Sequence, residues 1–380
     1  MSRRRIAIVT GTRAEFGLLE PVLRAVTARP RLRAQLIVTG MHLLPKFGRT
    51  IDHIRKAGWR VDAAVPMQSG RDDARSEATA LARGVAGIAQ ALDRLRSEIV
   101  VVLGDRIEAF AGACAAVTGR RVLAHIHGGD RGTGDIDDML RNAITRLAHV
   151  HLVASRDAAE RLRRMGEPPE RIHKVGAPGL DDIRQFREKF REKAAETSAP
   201  LERPYALVIQ HPLGRSGRRE SATMRAILAG VEAHGLRAAI IYPNSDPGHD
   251  GIIQVIQRWK NRPGWRVFRS LPRGEYLRLA SLAAVMVGNS SAGIIESASL
   301  GLNAVNIGPR QEGRLRCGPN VIDCGESSAE IRRAIAAALA RPRPRPGRSV
   351  YGDGRAGEHI AAVLERLIIS PRLMRKSLRY

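Results

Sequence analysis

The chain is short of aromatic residues, of cysteine and of long apolar runs, and each shortage excludes something. Phe, Trp and Tyr make up 4% of its 380 residues, too few for base-stacking platforms. Its 3 cysteines, Cys114, Cys317 and Cys324, have no metal-binding spacing and cannot form a disulfide framework. They read as thiols of a reducing compartment. No apolar run approaches the length of a membrane span. The N-terminal Met1-Ser2-Arg3-Arg4-Arg5 runs straight into the strand-like Ile6-Ala7-Ile8-Val9, with no signal-peptide core or cleavage site. The expectation is a cytoplasmic protein with no membrane partner. Acidic residues are scarce too: 38 Asp and Glu against 63 Lys and Arg give a net charge of +25. The arginines are spread over nearly every helical segment, and no basic cluster is interleaved with aromatics. We therefore expect no specific nucleic-acid partner and assign the charge to anionic small molecules.

What the chain does have is alternation. Strand-like runs occupy residues 5–10, 34–39, 99–103, 122–126, 150–154 and 172–175. After a polar, charged stretch at 186–204 they resume at 206–210, 238–242, 265–268, 283–287, 303–307 and 321–323. Helical patterns such as 15–28, 74–96, 136–149 and 222–234 lie between them, which is the signature of parallel βαβ units. The fold class is α/β, with two Rossmann-like doubly wound domains facing each other across a cleft. The expected boundaries are 1–185 for the first domain, 186–355 for a second, nucleotide-binding domain, and 356–380 for a C-terminal helix and tail packing back on the first. The alternating Arg-Pro sequence at 341–346 cannot be helical and reads as an extended surface link.

Ligands of open α/β sheets sit beyond the carboxyl ends of the strands, so residues just past those ends carry the functional reading. Gly288-Asn289-Ser290-Ser291 follows the apolar run 282–287 and opens a helix expected from Ser291 to about Gly301. Unpaired N–H groups and two hydroxyls would cradle a phosphate there. Glu296, about one and a half turns in, would accept from two sugar hydroxyls. An ordinary capped helix is the alternative. At the end of the first strand, Gly11-Thr12-Arg13 places a guanidinium fork at a helix start, suited to a diphosphate or merely solvated. Asp105 after Gly104, Asp130 at the end of His125-Ile126-His127-Gly128-Gly129-Asp130, and Asp137 gather carboxylates at neighbouring strand ends. Carboxylates so placed can divide into an acid and a base. Asp135 is read only as a helix-start charge. His125 and His127 have the alternate spacing used by metal sites, but equally suit a polar strand end, and no metal is assigned. In the second half His211 ends one strand as a candidate general acid, and Asn244 ends the next.

In ordered combination these stretches resemble the UDP-N-acetylglucosamine 2-epimerase family, in its hydrolysing branch. The matching pieces include Thr10 to Leu19, Thr39 to Leu43, Gly104-Asp105-Arg106, His125 to Asp130, Ile136 to Thr145, Gln210-His211-Pro212, Gly288 to Glu296, Asn306 to Arg314 and Tyr351 to Gly354. The resemblance implies a glycosyltransferase-B-like architecture, a nucleotide-sugar substrate linked to UDP or GDP, no redox cofactor, and a homodimer or homotetramer. It implies that Arg13, Ser290 and Ser291 hold the diphosphate, with Gly288 and Asn289 in the same turn, that Glu296 takes the ribose, with Gly313 and Arg314 nearby, and that Asn244 also lines the binding site. Asp105, Asp130, Asp137 and His211 would be the acid/base groups. Diphosphate departure acidifies H2, a carboxylate removes it to give a 2-acetamidoglucal, and water at C1 with a proton returned to C2 yields a free N-acetylmannosamine-type sugar, as sialic and legionaminic acid synthesis requires. Three departures lie near the sugar: Asp130 stands where the family has glutamate, Asn142 where it has histidine, and Leu213-Gly214-Arg215-Ser216-Gly217 follows Pro212. A glycosyltransferase on the same scaffold, retaining H2, and a non-catalytic nucleotide-sugar binding protein are the alternatives.

Overall fold

The computed structural model describes residues 3–69, 73–131, 136–192, 204–346 and 349–376. Asp135 and the 193–203 part of the expected linker fall outside them. Two sheets are present. The first contains β1 (Arg4–Thr10), β2 (Leu32–Thr39), β3 (Ala63–Val65), β4 (Ile99–Leu103), β5 (Val122–Ile126), β6 (Val150–Val153) and β7 (Ile172–Lys174), in the order β3-β2-β1-β4-β5-β6-β7. The second contains β8 (Tyr205–Ile209), β9 (Arg237–Ile241), β10 (Arg266–Phe268), β11 (Val285–Gly288), β12 (Ala304–Ile307) and β13 (Val321–Cys324), in the order β10-β9-β8-β11-β12-β13. Neighbouring strands pair in parallel throughout, as between β1 and β4 and between β8 and β11.

The central strands read as unbroken apolar runs because helices cover both of their faces. In β1 and β4, Ile6, Ile8 and Val101 enter one core while Ala7, Val9, Val100 and Val102 enter the opposite one. Period-two alternation of the side chains sorts these residues between the two layers. The second sheet has its own core around Val208, Ile240, Val287 and Val305.

The chain divides into two compact units, one of residues up to Asp130 with Ile136–Asp181 and Tyr351–Tyr380, the other around Arg131 with Asp182–Val350. The C-terminal helix Ala356–Arg366 belongs to the first unit. Asp181 accepts from the N–H groups of Ala356 at 2.8 Å and Gly357 at 2.7 Å, satisfying two donors at the start of that helix. Ile360 and Leu364 join the core of the first sheet.

Alternation anticipates every strand except β3, a three-residue edge strand too short to show a pattern. The polar stretch is a correction: helix Gly179–Glu192 runs into its first part, with Leu180 and Ile183 buried on its inner face. The Arg-Pro segment is extended, and Arg343 donates to the carbonyls of Gly301 at 2.6 Å, Ala283 at 3.1 Å and Ser281 at 3.0 Å.

Both sheets reverse direction at one place, between β1 and β4 in the first and between β8 and β11 in the second. Such switch points open crevices for ligands. Arg13 follows β1 and Asp105 follows β4. His211 follows β8, and Gly288 ends β11 with Asn289 to Ser291 just after it.

Candidate functional site

In the first unit the switch point is a loop set held by buried charge. Gly104 follows β4 in the left-handed region, and the side chain of Asp105 accepts from Arg141, which is 2% exposed. Arg141 rises from helix Asp137–Leu147 and also donates to the carbonyl of His127 at 3.1 Å. One guanidinium thus ties the loop after β4 to the loop after β5. Lys376 fixes the far end of that helix, donating to the carbonyls of Thr145 at 2.9 Å and Ala148 at 2.8 Å, and pairs with Glu167 at 2.8 Å.

Past β5, His127 Nδ1 meets Asp130 Oδ2 at 2.8 Å, both side chains being buried. His125 has a separate occupation: its Nε2 lies 2.7 Å from the Gly104 carbonyl and Thr145 lies 3.3 Å from its Nδ1. Burial pushes its pKa down to about 3, so it stays neutral. Among the described residues no group of three or more His, Cys, Asp or Glu side chains is placed to hold a metal ion. Asp137 is the first residue of its helix and half-buried, while Asn142 donates to Asp138 at 3.4 Å.

Arg13 opens helix Arg13–Thr27, whose start is a capping box between Thr12 and Glu15. Its guanidinium meets His53 Nδ1 at 3.0 Å. Beneath this loop, Glu15 accepts from the Gly11 N–H at 2.6 Å, and a side chain at Gly11 or Gly40 would collide with Glu108. Burial raises the Glu15 pKa to about 8, with the Glu108 charge adding to the effect against the Gly11 hydrogen bond.

In the second unit the switch point is built mainly from backbone. Gly288 has φ of 135°, and a Cβ there would lie 2.1 Å from the Ile209 carbonyl oxygen, so only glycine lets β11 turn this tightly. Asn289 bridges the crevice, accepting from the His211 N–H at 2.7 Å and donating to its carbonyl at 2.8 Å. Its own carbonyl accepts from Gln311 at 2.9 Å. His211 Nδ1 accepts from the Asn244 N–H at 3.1 Å, which leaves the proton of the neutral ring on Nε2. Asn244 also donates to Asp246 at 2.5 Å.

The helix after this turn is shorter than its sequence suggests, running only Ser291–Ile295. Ser297 bonds back to the Gly293 carbonyl at 2.6 Å and Ile294 and Ile295 are β-branched, so the chain goes on as turns to Gly301. Ser290 is its N-cap and accepts from Ala292 N–H at 3.4 Å, and Ser291 is its first residue. Glu296 therefore sits at the C-cap rather than within a helix. Its carboxylate accepts from Arg273 at 2.9 Å. Burial and the Glu296 charge hold the Tyr276 phenol protonated, well above its usual pKa. Gly313 is left-handed, and Arg314 donates to Gln311 at 2.8 Å and to the Arg131 carbonyl at 2.8 Å.

Sequence reasoning missed Arg141, Arg273 and the His127–Asp130 contact. The spacing Asp137 to Arg141 was the available signal, since residues four apart share a helix face. Arg273 carries no local signal, as its partner Glu296 is 23 residues away. Arg215, in the segment after Pro212, is stapled by Glu220 at 3.1 Å and by Glu326 at 2.7 Å, so that segment is braced rather than loose.

A family model described as UDP-N-acetylglucosamine 2-epimerase matches residues 24–365. The chain is 34% identical over 374 residues, covering 98% of both proteins, to UDP-N,N'-diacetylbacillosamine 2-epimerase (hydrolyzing) of Legionella pneumophila. It is 31% identical over 330 residues, 85% of each chain, to GDP/UDP-N,N'-diacetylbacillosamine 2-epimerase (hydrolyzing) of Campylobacter jejuni. The crystal structure of UDP-GlcNAc 2-epimerase from Neisseria meningitidis bound to UDP-GlcNAc superimposes with a TM-score of 0.77 at 17% identity, over 95% of this chain and 99% of that one. That likeness establishes the shared fold. Taken with the match to the family model along nearly the whole sequence, it means that the chain belongs to the UDP-N-acetylglucosamine 2-epimerase family.

Proposed function

We propose that this hydrolysing 2-epimerase acts on a UDP-linked 2-acetamido sugar bearing a second acetamido group, releasing UDP and the free sugar inverted at C2. The observation that carries this reading is the 34% identity spanning 98% of both chains with a hydrolysing relative named for the diacetamido substrate. The departures at Asp130 and Asn142 support it, because they lie in the unit that carries the candidate acid/base carboxylates rather than in the one read as holding the nucleotide.

The division of labour follows the two switch points. The first unit works on the sugar. Asp105, gripped by Arg141, and Asp130, in contact with His127, exchange protons at C2, and Asp137 is the third candidate carboxylate. Removal of H2 as the diphosphate leaves C1 gives the 2-acetamidoglucal. Water then adds at C1 and the proton returns to the opposite face of C2. The second unit, which contains Asp182–Val350, holds the nucleotide. Ser290, Ser291 and the turn at Gly288 and Asn289 cradle the diphosphate, and Glu296 takes the ribose with Gly313, Arg314 and Asn244 around it. His211, with Nε2 as its donor, offsets charge on the departing diphosphate. We place the enzyme in the cytoplasm, as a homodimer or homotetramer, in the synthesis of sialic or legionaminic acid-type sugars.

The test is proton NMR in D2O with UDP-N,N'-diacetylbacillosamine, its GDP analogue and UDP-N-acetylglucosamine. The expected result is free UDP and a manno-configured diacetamido sugar deuterated at C2, formed fastest from the first substrate. Hydrolysis with H2 retained would exclude proton abstraction, and faster turnover of UDP-N-acetylglucosamine would move the substrate assignment.

A further inference from the structure

Four non-glycine residues have positive φ among the described residues: Arg49, Arg96, Arg120 and His127. The three arginines are exposed, Arg96 capping the end of a helix, where solvent and short turns tolerate the conformation. His127 differs from them in being buried, at 5% exposure, with φ of 65°. A bulky side chain in this region costs about 1–3 kcal/mol and persists only where its surroundings dictate it.

The surroundings do dictate it. The His127 N–H donates to the Leu152 carbonyl at 3.2 Å, and its own carbonyl accepts from Arg141 at 3.1 Å. A Cβ at Gly128 would lie 2.9 Å from His125, and one at Gly129 would lie 2.6 Å from the Ala158 carbonyl oxygen. Arg161 holds the Gly129 carbonyl. The chain thus makes a forced turn that ends with the imidazole of His127 against the carboxylate of Asp130, three residues on. A carboxylate oxygen accepts, so Nδ1 is the donor across the 2.8 Å contact.

We propose that His127 is a positioning residue for Asp130: its Nδ1–H holds one carboxylate oxygen and thereby fixes the aim of the other for proton transfer at the sugar. The inference rests on the reading of Asp130 as an acid/base group. Displacement of a reacting group by about 1 Å can cost about 100-fold in rate, so a carboxylate on a short side chain gains from a fixed partner.

The experiment is steady-state kinetics of the full chain with the substrate it turns over fastest, using His127→Gly, His127→Asn, Asp130→Asn and the double variant His127→Gly/Asp130→Asn. Glycine accepts positive φ without strain and removes the imidazole. Asparagine also tolerates this region and keeps an N–H donor. The expected result for His127→Gly is a kcat about 100-fold lower with KM changed less than about twofold, unchanged UDP affinity, and a thermal midpoint equal to or above that of the parent. His127→Asn should recover at least about tenfold of that loss, one hydrogen bond's worth of aim. The double variant should be no slower than Asp130→Asn alone. If His127→Gly keeps parental kcat while Asp130→Asn is inactive, the positioning role is wrong and the Asp130 assignment stands. If Asp130→Asn itself keeps parental kcat, the Asp130 assignment fails, and the inference falls with it. Independent, multiplicative losses in the double variant, or equal loss in the Gly and Asn variants, would also overturn it.

Discussion

The two switch points occupy the same place in sheets of nearly the same strand order, yet they are made of different material. At the first, side-chain charge dominates: Arg141 grips Asp105, His127 grips Asp130, and the acids Glu15 and Glu108 lie under the loop after β1. At the second the floor is peptide: a glycine that no other residue can replace, an asparagine imitating a strand, and the first turn of a five-residue helix. Buried, paired side chains are costly to assemble but give groups of fixed aim and altered acidity. Backbone N–H groups are uncharged, point in set directions and suit a permanent anion. The proposed function gives proton transfer to the first half and the nucleotide to the second, so substitutions should separate into kcat effects and affinity effects.

The largest expected effect belongs to Asp105→Asn, which keeps the shape and a partner for Arg141 while removing a carboxylate proposed to act at the sugar. Turnover should fall by about 100- to 10,000-fold, the usual contribution of a positioned acid or base. UDP affinity by calorimetry should change by less than about threefold. A matched fall in UDP affinity would erase the distinction between the two halves.

Gly288→Ala should act in the opposite way. The new Cβ would meet the Ile209 carbonyl oxygen at 2.1 Å, so β11 must shift and the cradle opens. UDP affinity should fall by at least about tenfold, equivalent to about 1.4 kcal/mol, with a lower thermal midpoint. Normal UDP affinity would show that the turn is not the phosphate cradle. Glu296→Gln is a milder probe of the same half. It removes a charge beside the half-buried Arg273, and KM should rise about tenfold with kcat within about twofold. A larger loss in kcat than in KM would move Glu296 into the chemistry.

How much of this was legible depends on how local each cause is. The parallel strands were readable because each is a self-contained apolar run, and Gly288 and Asn289 were readable because a turn after such a run is a local event. β3 was missed because three residues cannot display a period. The helix expected to reach Gly301 stops at Ile295, because the Ser297 hydroxyl takes the Gly293 carbonyl, a competition that composition alone does not reveal. Asp105 and Asp130 could be picked out as strand-end acids. What holds them could not, since Arg141 is 36 residues from Asp105 and the positive φ of His127 is set by contacts from distant segments.

The smallest expected effect tests the first half's buried acids through stability. Glu15 has its pKa raised from 4.5 to about 8, so it is protonated in the folded chain and releases its proton on unfolding over that interval. Its contribution is intact below pH 4.5, declines as pH rises toward 8 and is lost above it. His42 and His125 act with the opposite sign in another window. Burial pushes both down to about 3, so their contribution is intact above pH 6.5 and lost as pH falls toward 3. Between pH 6.5 and 8 the slope from these three groups therefore belongs to Glu15 alone. Glu15→Gln keeps a carbonyl to accept from the Gly11 N–H and cannot ionise. The parent should lose at least about 1.4 kcal/mol more than this variant across that window, the linkage value of one pKa unit. Chemical denaturation at pH 6.5 and pH 8 measures the difference. Equal losses would mean that Glu15 is already ionised at pH 6.5, and the loop before Arg13 would then rest on a charged carboxylate rather than a neutral one.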